Sequence, residues 1–339
     1  MNEENGMGDI DPTAIKLHRD TIVIDGLIIS KWDRQVFEDM HHGGLTAANC
    51  TCAVWEGFTE TMDNIASWKR WIIKNDDILL QVYKIEDIRR AKEENRVGII
   101  LGWQNTNPIE SNLDRLRLFS DLGVRFMQLT YNTQNLVGAG CWESKDNGLS
   151  DYGRDVVQQM NELGIAIDLS HVGEQTCRDA VASSTVPVAF THCVPRGLLD
   201  MPRNKSDELL QLTADKGGFV GFAPYGPFLP SGEDSTIDDC IAGLEYTVNL
   251  VGEESVGIGT DFTQGHDAEF FAWLRSDKGN GRKLIENYAG RPKNPEGLDG
   301  MKDYPNLTAG LLRHGWSERR IRKVMGENWL RYLGEVWRD

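Results

Sequence analysis

The chain has 339 residues, 40% of them hydrophobic, and a formal net charge of −16 at pH 7. A chain of this length can bury a large core, in one barrel or in two smaller domains. The negative charge argues against nucleic acids and anionic membranes as partners.

The N-terminus and the cysteines predict a cytoplasmic protein. Residues 1–10 contain neither a basic start nor an apolar stretch, so we expect no secretory signal and no membrane span. The six cysteines lack the crowded spacing of a disulfide scaffold, and a large core needs no covalent cross-links. A reducing cytoplasm is therefore the predicted location.

Short apolar runs alternate with helical patterns eight times along the chain. Apolar runs without polar alternation are typical of parallel strands that helices cover on both faces. After an N-terminal extension over residues 1–20, strands are predicted at residues 21–25, 45–54, 97–103, 124–130, 164–171, 187–192, 218–223 and 255–260. Helices are predicted at residues 63–74 (capped by Asp63), 77–94, 112–122, 151–163, 175–182, 237–251 and 318–336.

Eight such units joined by mostly short links predict an α/β fold, a (β/α)8 TIM barrel that forms one domain over residues 21–339. Residues 263–307 are rich in Gly, Asn and Pro and follow the last predicted strand. This segment is expected to lie over the mouth of the barrel, as a lid or as a dimer contact.

Histidines end the fifth and sixth predicted strands, at His171 and His192. Side chains at the carboxyl ends of barrel strands point into the mouth, where the active sites of such folds are built. Neutral imidazole is the commonest protein ligand for zinc and related ions. Either histidine alone could cap its strand by a hydrogen bond to a loop, but the pair on neighbouring strands predicts a metal site.

The other strand ends offer further polar candidates. Asp261 closes the eighth strand, where a carboxylate can take a proton from an activated water and pass it to a leaving group. Its alternative role is a helix cap or a partner for Arg203. The remaining side chains at strand ends are Asp25, Asn49 or Cys50, Gln104, Tyr131 and Tyr225.

Five motifs together resemble the membrane (renal) dipeptidase family. They are Asp168-Leu169-Ser170-His171, Thr191-His192, Arg203-Asn204, Gly259-Thr260-Asp261-Phe262 and Gly326-Glu327-Asn328-Trp329-Leu330-Arg331. The resemblance implies a (β/α)8 metal-dependent hydrolase, typically with two zinc ions bridged by a glutamate, that cleaves dipeptides and related small amides. It also implies a homodimer.

By this resemblance, His171 and His192 bind one zinc ion and Asp261 is the catalytic aspartate. Arg203 matches the residue that holds the carboxylate of the substrate, a role that suits its planar guanidinium. The predicted partner is therefore a small molecule with a carboxylate.

Two further residues are predicted to contact that substrate. Asn204 follows Arg203 in the motif, and Tyr225 lies at the end of the seventh strand.

Three departures from the family pattern predict the loss of one metal ion. The family's first strand ends Asp-Gly-His-x-Asp, but here it reads Asp25-Gly26-Leu27-Ile28-Ile29, so both ligands of the other zinc are aliphatic. The bridging glutamate falls on Gln104, whose neutral amide is a poor bridge between two cations. The catalytic histidine of the fourth strand falls on Tyr131, which can donate a hydrogen bond to an oxyanion but does not readily share a proton near neutral pH. We predict one ion, Zn²⁺ or another divalent metal, bound by His171, His192 and Gln104.

Three functions fit these residues, in this order of preference. The first is a one-metal hydrolase of a small carboxylate-bearing amide, since a single zinc ion is enough to activate water. The second is a lyase or isomerase in which Asp261 and Tyr131 move protons on a small carboxylic acid. The third is a non-catalytic protein that keeps the pocket and Arg203 for binding alone.

For two other groups of residues we favour structural roles. Cys141 and Glu143 follow the fourth strand and could supply a third metal ligand where Gln104 serves poorly, but a structural loop is preferred. His41 and His42 are predicted to lie in a loop at the opposite end of the second strand from the mouth.

Overall fold

Eight parallel strands close into a barrel in the computed structural model, which describes residues 10–284 and 291–338. The strands of the chain are β1 (Ile24–Ile28), β2 (Ala47–Thr51), β3 (Leu79–Gln81), β4 (Val97–Trp103), β5 (Val124–Gln128), β6 (Ala166–Asp168), β7 (Ala189–Cys193), β8 (Phe219–Phe222) and β9 (Val256–Ile258). β1 pairs with β2 and β9, β2 pairs with β4, and the order then runs from β4 through β8 to β9. This closure confirms the predicted (β/α)8 TIM barrel.

Helices surround the barrel and cover its strands. They are α1 (Pro12–Asp20), α2 (Arg34–His42), α3 (Phe58–Lys74), α4 (Ile85–Glu93), α5 (Asp114–Asp121), α6 (Asp151–Leu163), α7 (Glu174–Ser183), α8 (Asp207–Asp215), α9 (Ile237–Val251), α10 (Ala268–Leu274), α11 (Tyr304–Arg313), α12 (Glu318–Arg322) and α13 (Asn328–Val336). A π-helical turn, Lys323–Glu327, joins the last two helices. None of the helices within the described ranges has the length and apolarity that crossing a membrane requires.

The prediction of one helix over residues 77–94 is wrong in its first part. Leu79–Gln81 forms β3, which pairs with the start of β4, and helix α4 begins only at Ile85. Leu79 and Leu80 are buried there. Asp87 accepts hydrogen bonds from the backbone N–H groups of Tyr83 and Lys84 and so fixes the start of α4 after the strand. A short apolar run does not by itself distinguish a strand from a buried helix.

Helices α2 and α3 also differ from the prediction. The side chain of Asp33 accepts a hydrogen bond from the N–H of Val36 at 2.9 Å and caps α2, so His41 and His42 lie in its last turn rather than in a loop. Helix α3 begins at Phe58, five residues before the predicted cap at Asp63.

The segment after the last strand lies only partly at the mouth of the barrel, since its end, residues 301–307, packs against α1 and α2. It is also not wholly irregular. Asp267 caps the short helix α10, and Phe271 and Leu274 of that helix line the cavity in the mouth. Thr133, in the loop after β5, donates a hydrogen bond of 2.8 Å to Asp277 and ties this segment to the rim. Part of the predicted segment, residues 285–290, falls outside the described residues.

The closing motif of the chain seals the opposite end of the barrel from the mouth. Trp329 packs against Phe219 with ring centroids 4.1 Å apart and donates a hydrogen bond of 2.9 Å to the carbonyl of Ile258. Asn328 donates to the carbonyl oxygens of Glu253 and Val256. This motif therefore supports the fold rather than the site.

Candidate active site

A cavity of about 70 Å³ lies at the carboxyl ends of the strands. Its polar lining includes six of the predicted site residues and one that the sequence did not single out, namely Gln104, Tyr131, His171, Arg203, Tyr225, Asp261 and Asn132. Its other side is apolar, with Ile29, Phe271 and Leu274 packed around the ring of Tyr131. Most of the predicted residues therefore come together in one mixed polar and apolar pocket, whereas His192 and Asn204 lie outside its lining.

The two predicted histidines meet in the mouth. The Nε2 atoms of His171 and His192 lie 3.0 Å apart, and both side chains are buried. Across a tetrahedral zinc ion with Zn–N bonds of 2.0–2.1 Å, two such atoms would lie about 3.3 Å apart. The pair therefore has nearly the spacing of two ligands of one ion.

Hydrogen bonds assign the protons of both rings. His171 Nδ1 lies 2.8 Å from Oδ1 of Asn132, an acceptor, so we place the proton on this nitrogen. His192 Nδ1 lies 2.8 Å from Oγ1 of Thr191, whose own hydroxyl donates to Asp168 at 2.7 Å. With both Nδ1 atoms protonated, the two Nε2 lone pairs face each other and repel unless a cation lies between them.

Burial and nearby positive charge keep the two rings neutral. Burial lowers the pKa of His171 well below its ordinary value, and Arg203, His192 and Lys205 lower it further. The pKa of His192 is lowered in the same way, by burial first and then by Arg203 and Lys205. Neutral imidazole is the form that binds metal.

Asp168 stabilises the two strand ends that carry these histidines. Its carboxylate is buried and accepts hydrogen bonds from the backbone N–H and the hydroxyl of both Ser170 and Thr191. Burial raises the pKa of Asp168, and these hydrogen bonds oppose the rise. Asp168 therefore positions the ends of β6 and β7, and through Thr191 it fixes the ring of His192.

Three glycines make room for the end of β7 inside the barrel. A Cβ atom placed on Gly26, Gly221 or Gly259 would lie 2.4, 2.0 or 1.8 Å from the carbonyl oxygen of Thr191. Any side chain larger than hydrogen would push this carbonyl away. The close approach holds His192 at the centre of the mouth.

Gln104 is the residue predicted as the third metal ligand. Its Nε2 donates to Thr51 at 3.2 Å, while its Oε1 is buried and has no hydrogen-bond partner among the described residues. Leu27 and Ile29, in place of the ligands of a second ion, are buried apolar side chains. Across residues 10–284 and 291–338, no group of three or more His, Cys, Asp and Glu side chains is arranged to hold a metal. Two buried imidazoles and the unpartnered amide oxygen of Gln104 are thus the candidate metal-binding groups here, and Leu27 and Ile29 offer none.

Cys141 and Glu143, in the loop after β5, make contacts that agree with the preferred role of a structural loop. Glu143 accepts a hydrogen bond of 2.9 Å from the backbone N–H of Gln134. The Sγ of Cys141 lies 3.6 Å from Oδ1 of Asn132, and burial raises the pKa of the thiol. A thiol with a raised pKa is a weaker source of the thiolate that a metal needs.

Arg203 holds the two histidine strands together. Its terminal nitrogens donate to the carbonyl oxygens of Ser170 at 2.7 Å and His192 at 2.8 Å, and the guanidinium lies 5.1 Å from the ring centroid of Phe228. The side chain is buried, and its Nε has no hydrogen-bond partner among the described residues. These two hydrogen bonds use two of the five N–H groups of the guanidinium, and the residue also lines the cavity.

Asp261 faces the same cavity from a strained turn. Its φ of 58° is in the left-handed region, and its backbone N–H donates to the carbonyl of Leu27 at 3.0 Å, so the turn crosses to the first strand. Burial raises the pKa of Asp261 to about 7, Asp25 and Asp168 add to the rise, and Arg203 opposes it. A carboxyl group that titrates near neutral pH is suited to proton transfer.

Tyr131 stacks on the ring of His171, with centroids 4.2 Å apart and planes at 27°. Burial raises the pKa of its hydroxyl far above the ordinary value, with Asp261 adding to the rise. The hydroxyl therefore keeps its proton at neutral pH and can donate a hydrogen bond to a group in the cavity.

Asn204 and Tyr225 are placed differently from each other. Tyr225 lines the cavity and packs on Phe228, with ring centroids 4.7 Å apart. Asn204 is fully buried outside the cavity lining, where its Nδ2 donates to the carbonyl oxygens of Leu199 and Phe228. The predicted contact of Asn204 with a substrate has no support in this placement, because its amide holds two loops behind Arg203.

Asn132 and Asp168 are the site residues that sequence reasoning missed as functional. Asp168 stood within the quoted motif, and its spacing before Ser170 and His171 was a signal for a carboxylate that supports the strand end. Asn132 has a φ of 59°, a left-handed turn that Asn tolerates, and only the folded loop brings its amide to His171.

Comparison with known proteins agrees with this architecture. The family model for membrane dipeptidase, peptidase family M19, matches residues 33–272 and 284–338. Dipeptidase tcpJ of Claviceps purpurea is 28% identical over 281 residues, which are 82% of this chain and 60% of that protein. An uncharacterized dipeptidase of Schizosaccharomyces pombe is 29% identical over 287 residues, 82% of this chain and 62% of that protein. The chain thus spans about three fifths of the length of these relatives.

Two solved structures are similar over almost the whole chain. An amidohydrolase from Pseudomonas aeruginosa is 52% identical, with a TM-score of 0.94 over 96% of this chain and 99% of that one. A metallo peptidase from Rhodobacter sphaeroides, liganded with a phosphinate mimic of the dipeptide L-Ala-D-Ala, is 20% identical, with a TM-score of 0.77 over 94% of this chain and 100% of that one. Because the family model matches most of this chain, the chain belongs to the membrane dipeptidase family, peptidase M19.

Proposed function

We propose that this protein is a metal-dependent hydrolase that cleaves an amide bond in a small substrate bearing a carboxylate. We further propose that it uses one metal ion, with Zn²⁺ as the preferred ion. The observation that carries the proposal is the convergence of two neutral imidazoles, 3.0 Å apart at their Nε2 atoms, beside a carboxyl group with a pKa of about 7. Family membership supports the reaction class.

His171, His192 and Gln104 are the residues that would hold the ion. A bound divalent ion would supply the Lewis acidity that activates water and polarises an amide carbonyl. The Oε1 of Gln104, without a partner, supports its assignment as the third ligand.

Asp261 and Tyr131 have complementary roles in this proposal. Asp261, when ionised, takes the proton of the attacking water and then gives it to the leaving amine. Tyr131 keeps its proton and donates a hydrogen bond to the oxyanion that develops on the carbonyl carbon. Burial of both groups in the mouth strengthens their electrostatic effect on the reacting atoms.

Arg203 and the apolar wall would select the substrate. Arg203 lines the cavity and its Nε has no partner among the described residues, so it suits a carboxylate, which accepts hydrogen bonds from a guanidinium. Ile29, Phe271 and Leu274 offer an apolar surface on the other side of the cavity. A dipeptide or an N-acyl amino acid with an apolar side chain has this combination of groups, and the dipeptide mimic bound by the Rhodobacter sphaeroides relative is of this class.

Substrate screening followed by one variant tests the function. Dipeptides, N-acyl amino acids and their D-configured forms are incubated with the metal-loaded protein, and free amine is measured. For a substrate that is cleaved, Asp261→Asn should lower kcat by about 10²-fold or more and change KM little, because the carboxylate acts only when protons move. Full activity of Asp261→Asn would overturn the mechanism, and a product formed without incorporation of solvent oxygen would favour the lyase or isomerase instead.

A homodimer in a reducing cytoplasm completes the proposal. All six cysteines are free thiols, five of them buried, which supports a compartment without disulfide formation. The homodimer follows from family membership alone, and analytical ultracentrifugation tests it.

A further inference from the structure

A second cavity, of about 150 Å³, lies beside the active site at the carboxyl ends of β1 and β2. It shares Ile29 with the active-site cavity, so the two spaces adjoin at this side chain. Its walls come from the loops after β1 and β2, from α3 and from α10. Six ring systems line it, those of Trp32, Trp68, Trp71, His266, Phe270 and Trp273. We refer to it as the aromatic cavity.

Most neighbouring rings of the aromatic cavity are tilted against one another, whereas His266 and Phe270 stack, with planes at 6°. The centroids of Trp32 and Trp68 lie 4.7 Å apart with planes at 58°, and those of Trp68 and Trp71 lie 5.3 Å apart at 86°. On the α10 side, Phe270 and Trp273 lie 5.7 Å apart at 34°. Tilted rings present π faces in several directions, and the face of an indole attracts a cation.

The charge of the aromatic cavity is negative. Glu56 is half-buried, accepts hydrogen bonds from the backbone N–H of Val54 and the amide of Asn64, and forms no ion pair with any described residue. Besides Glu56 and the thiol Cys52, the titratable residue in the described lining is His266. Burial lowers the pKa of His266 to about 4, so its ring is neutral at pH 7. A carboxylate without a cationic partner in an aromatic enclosure is suited to a bound cation.

Most polar groups around the aromatic cavity are already used. The hydroxyl of Ser30 donates to the carbonyl of Phe262, Thr51 accepts from Gln104, and the carbonyl of Cys52 accepts from Asn64. A primary ammonium has three N–H donors that need acceptors on burial. A methylated ammonium group has fewer donors or none, and it spreads its charge over methyl groups that pack on rings.

We propose that the aromatic cavity binds an organic cation through a methylated ammonium group, with the indole rings around it and Glu56 as its counter-ion. Because the two cavities share Ile29, the group is the cationic end of the substrate, a step that rests on the hydrolase function proposed above. The preferred substrate is then a small amide with a carboxylate at one end and a methylated ammonium at the other.

Choline and its uncharged isostere 3,3-dimethylbutan-1-ol are the probes of this proposal. Both are titrated into the full-length protein by calorimetry and by tryptophan fluorescence. Choline should bind at least tenfold more tightly than the isostere, because only the cation gains from the rings and from Glu56. Equal affinities, or no binding of choline, would overturn the proposal.

Variants assign the binding to the aromatic cavity. Glu56→Gln, Trp273→Leu and Trp71→Leu should each weaken choline binding about 2- to 30-fold, the equivalent of about 0.5–2 kcal/mol for a cation–π contact. The matched control is Glu143→Gln, since Glu143 also accepts a backbone N–H at the barrel rim but lies outside both cavities. Undiminished choline binding in all three folded variants would contradict the assignment.

Kinetics separate this proposal from the proposed hydrolase function. With a cleaved substrate in hand, choline should raise KM without changing kcat, and an unchanged KM would refute the link to the substrate. Choline binding without any turnover would leave the cation site standing and count against the hydrolase. Turnover without choline binding would support the hydrolase function and overturn the cation site.

Discussion

The imidazole rings of the site are oriented by what their Nδ1 atoms contact. Asn132 accepts from His171, and the Asp168–Thr191 pair accepts from His192. Both Nε2 atoms are thereby left for a metal. The sequence predicted the histidines and Asp261 because they end apolar strands, and family resemblance supplied the role of Arg203. The partner Asn132 could not be predicted, since its contact depends on a left-handed turn that only the folded loop fixes.

Arg203 should contribute to stability as well as to substrate binding. Arg203→Ala removes the donors to the carbonyl oxygens of Ser170 and His192 and leaves both acceptors buried. We expect a loss of about 3 kcal/mol in the free energy of unfolding, since hydrogen bonds to charged groups contribute about 1.5–3 kcal/mol each and do not add fully. Urea unfolding measures this loss, with the exposed Arg19→Ala as control. A loss below that of the control would show that Arg203 does not hold these strands.

Asp261 should make stability depend on pH in a defined direction. Its pKa of about 7 in the folded protein lies above the ordinary value of 3.8, so the folded state binds more protons than the unfolded state between these values. The free energy of unfolding contributed by this group is therefore fully present below pH 3.8 and is lost as pH rises through about 7.

Asp261→Asn should remove this dependence and flatten the fall in stability between pH 5 and 8. Asn is isosteric with Asp and tolerates the left-handed turn, so the backbone is preserved. Urea unfolding of chelator-treated protein at the two pH values is the measurement, and the exposed Asp63→Asn serves as the control. An identical pH dependence in the wild type and Asp261→Asn would mean that Asp261 is ionised throughout this range.

At the scale of elements, all eight barrel strands were predicted, because each is an apolar run long enough to be buried on both faces. β3 was missed because its three residues merge with the helical pattern that follows, and α2 was missed because its start depends on the Asp33 cap. The helix α10 lies in a segment too rich in Gly, Asn and Pro for its short apolar run to stand out. Local signals thus sufficed for long elements and failed for those that a single tertiary contact or cap defines.

The hydrogen bond between Thr133 and Asp277 should restrain the segment over the mouth. Thr133→Val keeps the shape of the side chain and removes the donor, so α10 should open more often. We expect a loss of about 1 kcal/mol in local stability, equal to about fivefold faster amide exchange in Ala268–Leu274. Hydrogen-exchange mass spectrometry measures the rate, with Ser276→Ala as a control that removes a bond within the segment itself. Unchanged exchange in Thr133→Val would show that other contacts hold α10.

At the scale of the whole molecule, the mouth of the barrel is divided into a polar half and an apolar half. Gln104, His171 and Asp261 line the polar half, whereas Ile29, an aliphatic residue where the family motif has Asp, lies in the apolar half. Sequence comparison within the motifs was sufficient to predict this division. The aromatic cavity could not be predicted, because its tryptophans come from the β1 loop, α3 and α10, which only the closed barrel brings together.

The number of metal ions per chain tests the central claim most directly. Elemental analysis of protein purified without chelator should find one divalent ion per chain. His171→Ala and His192→Ala should each lose it, while His266→Ala, which changes a histidine outside the polar half, should retain it. Two ions per chain at full occupancy, or one ion retained in both His171→Ala and His192→Ala, would contradict the account.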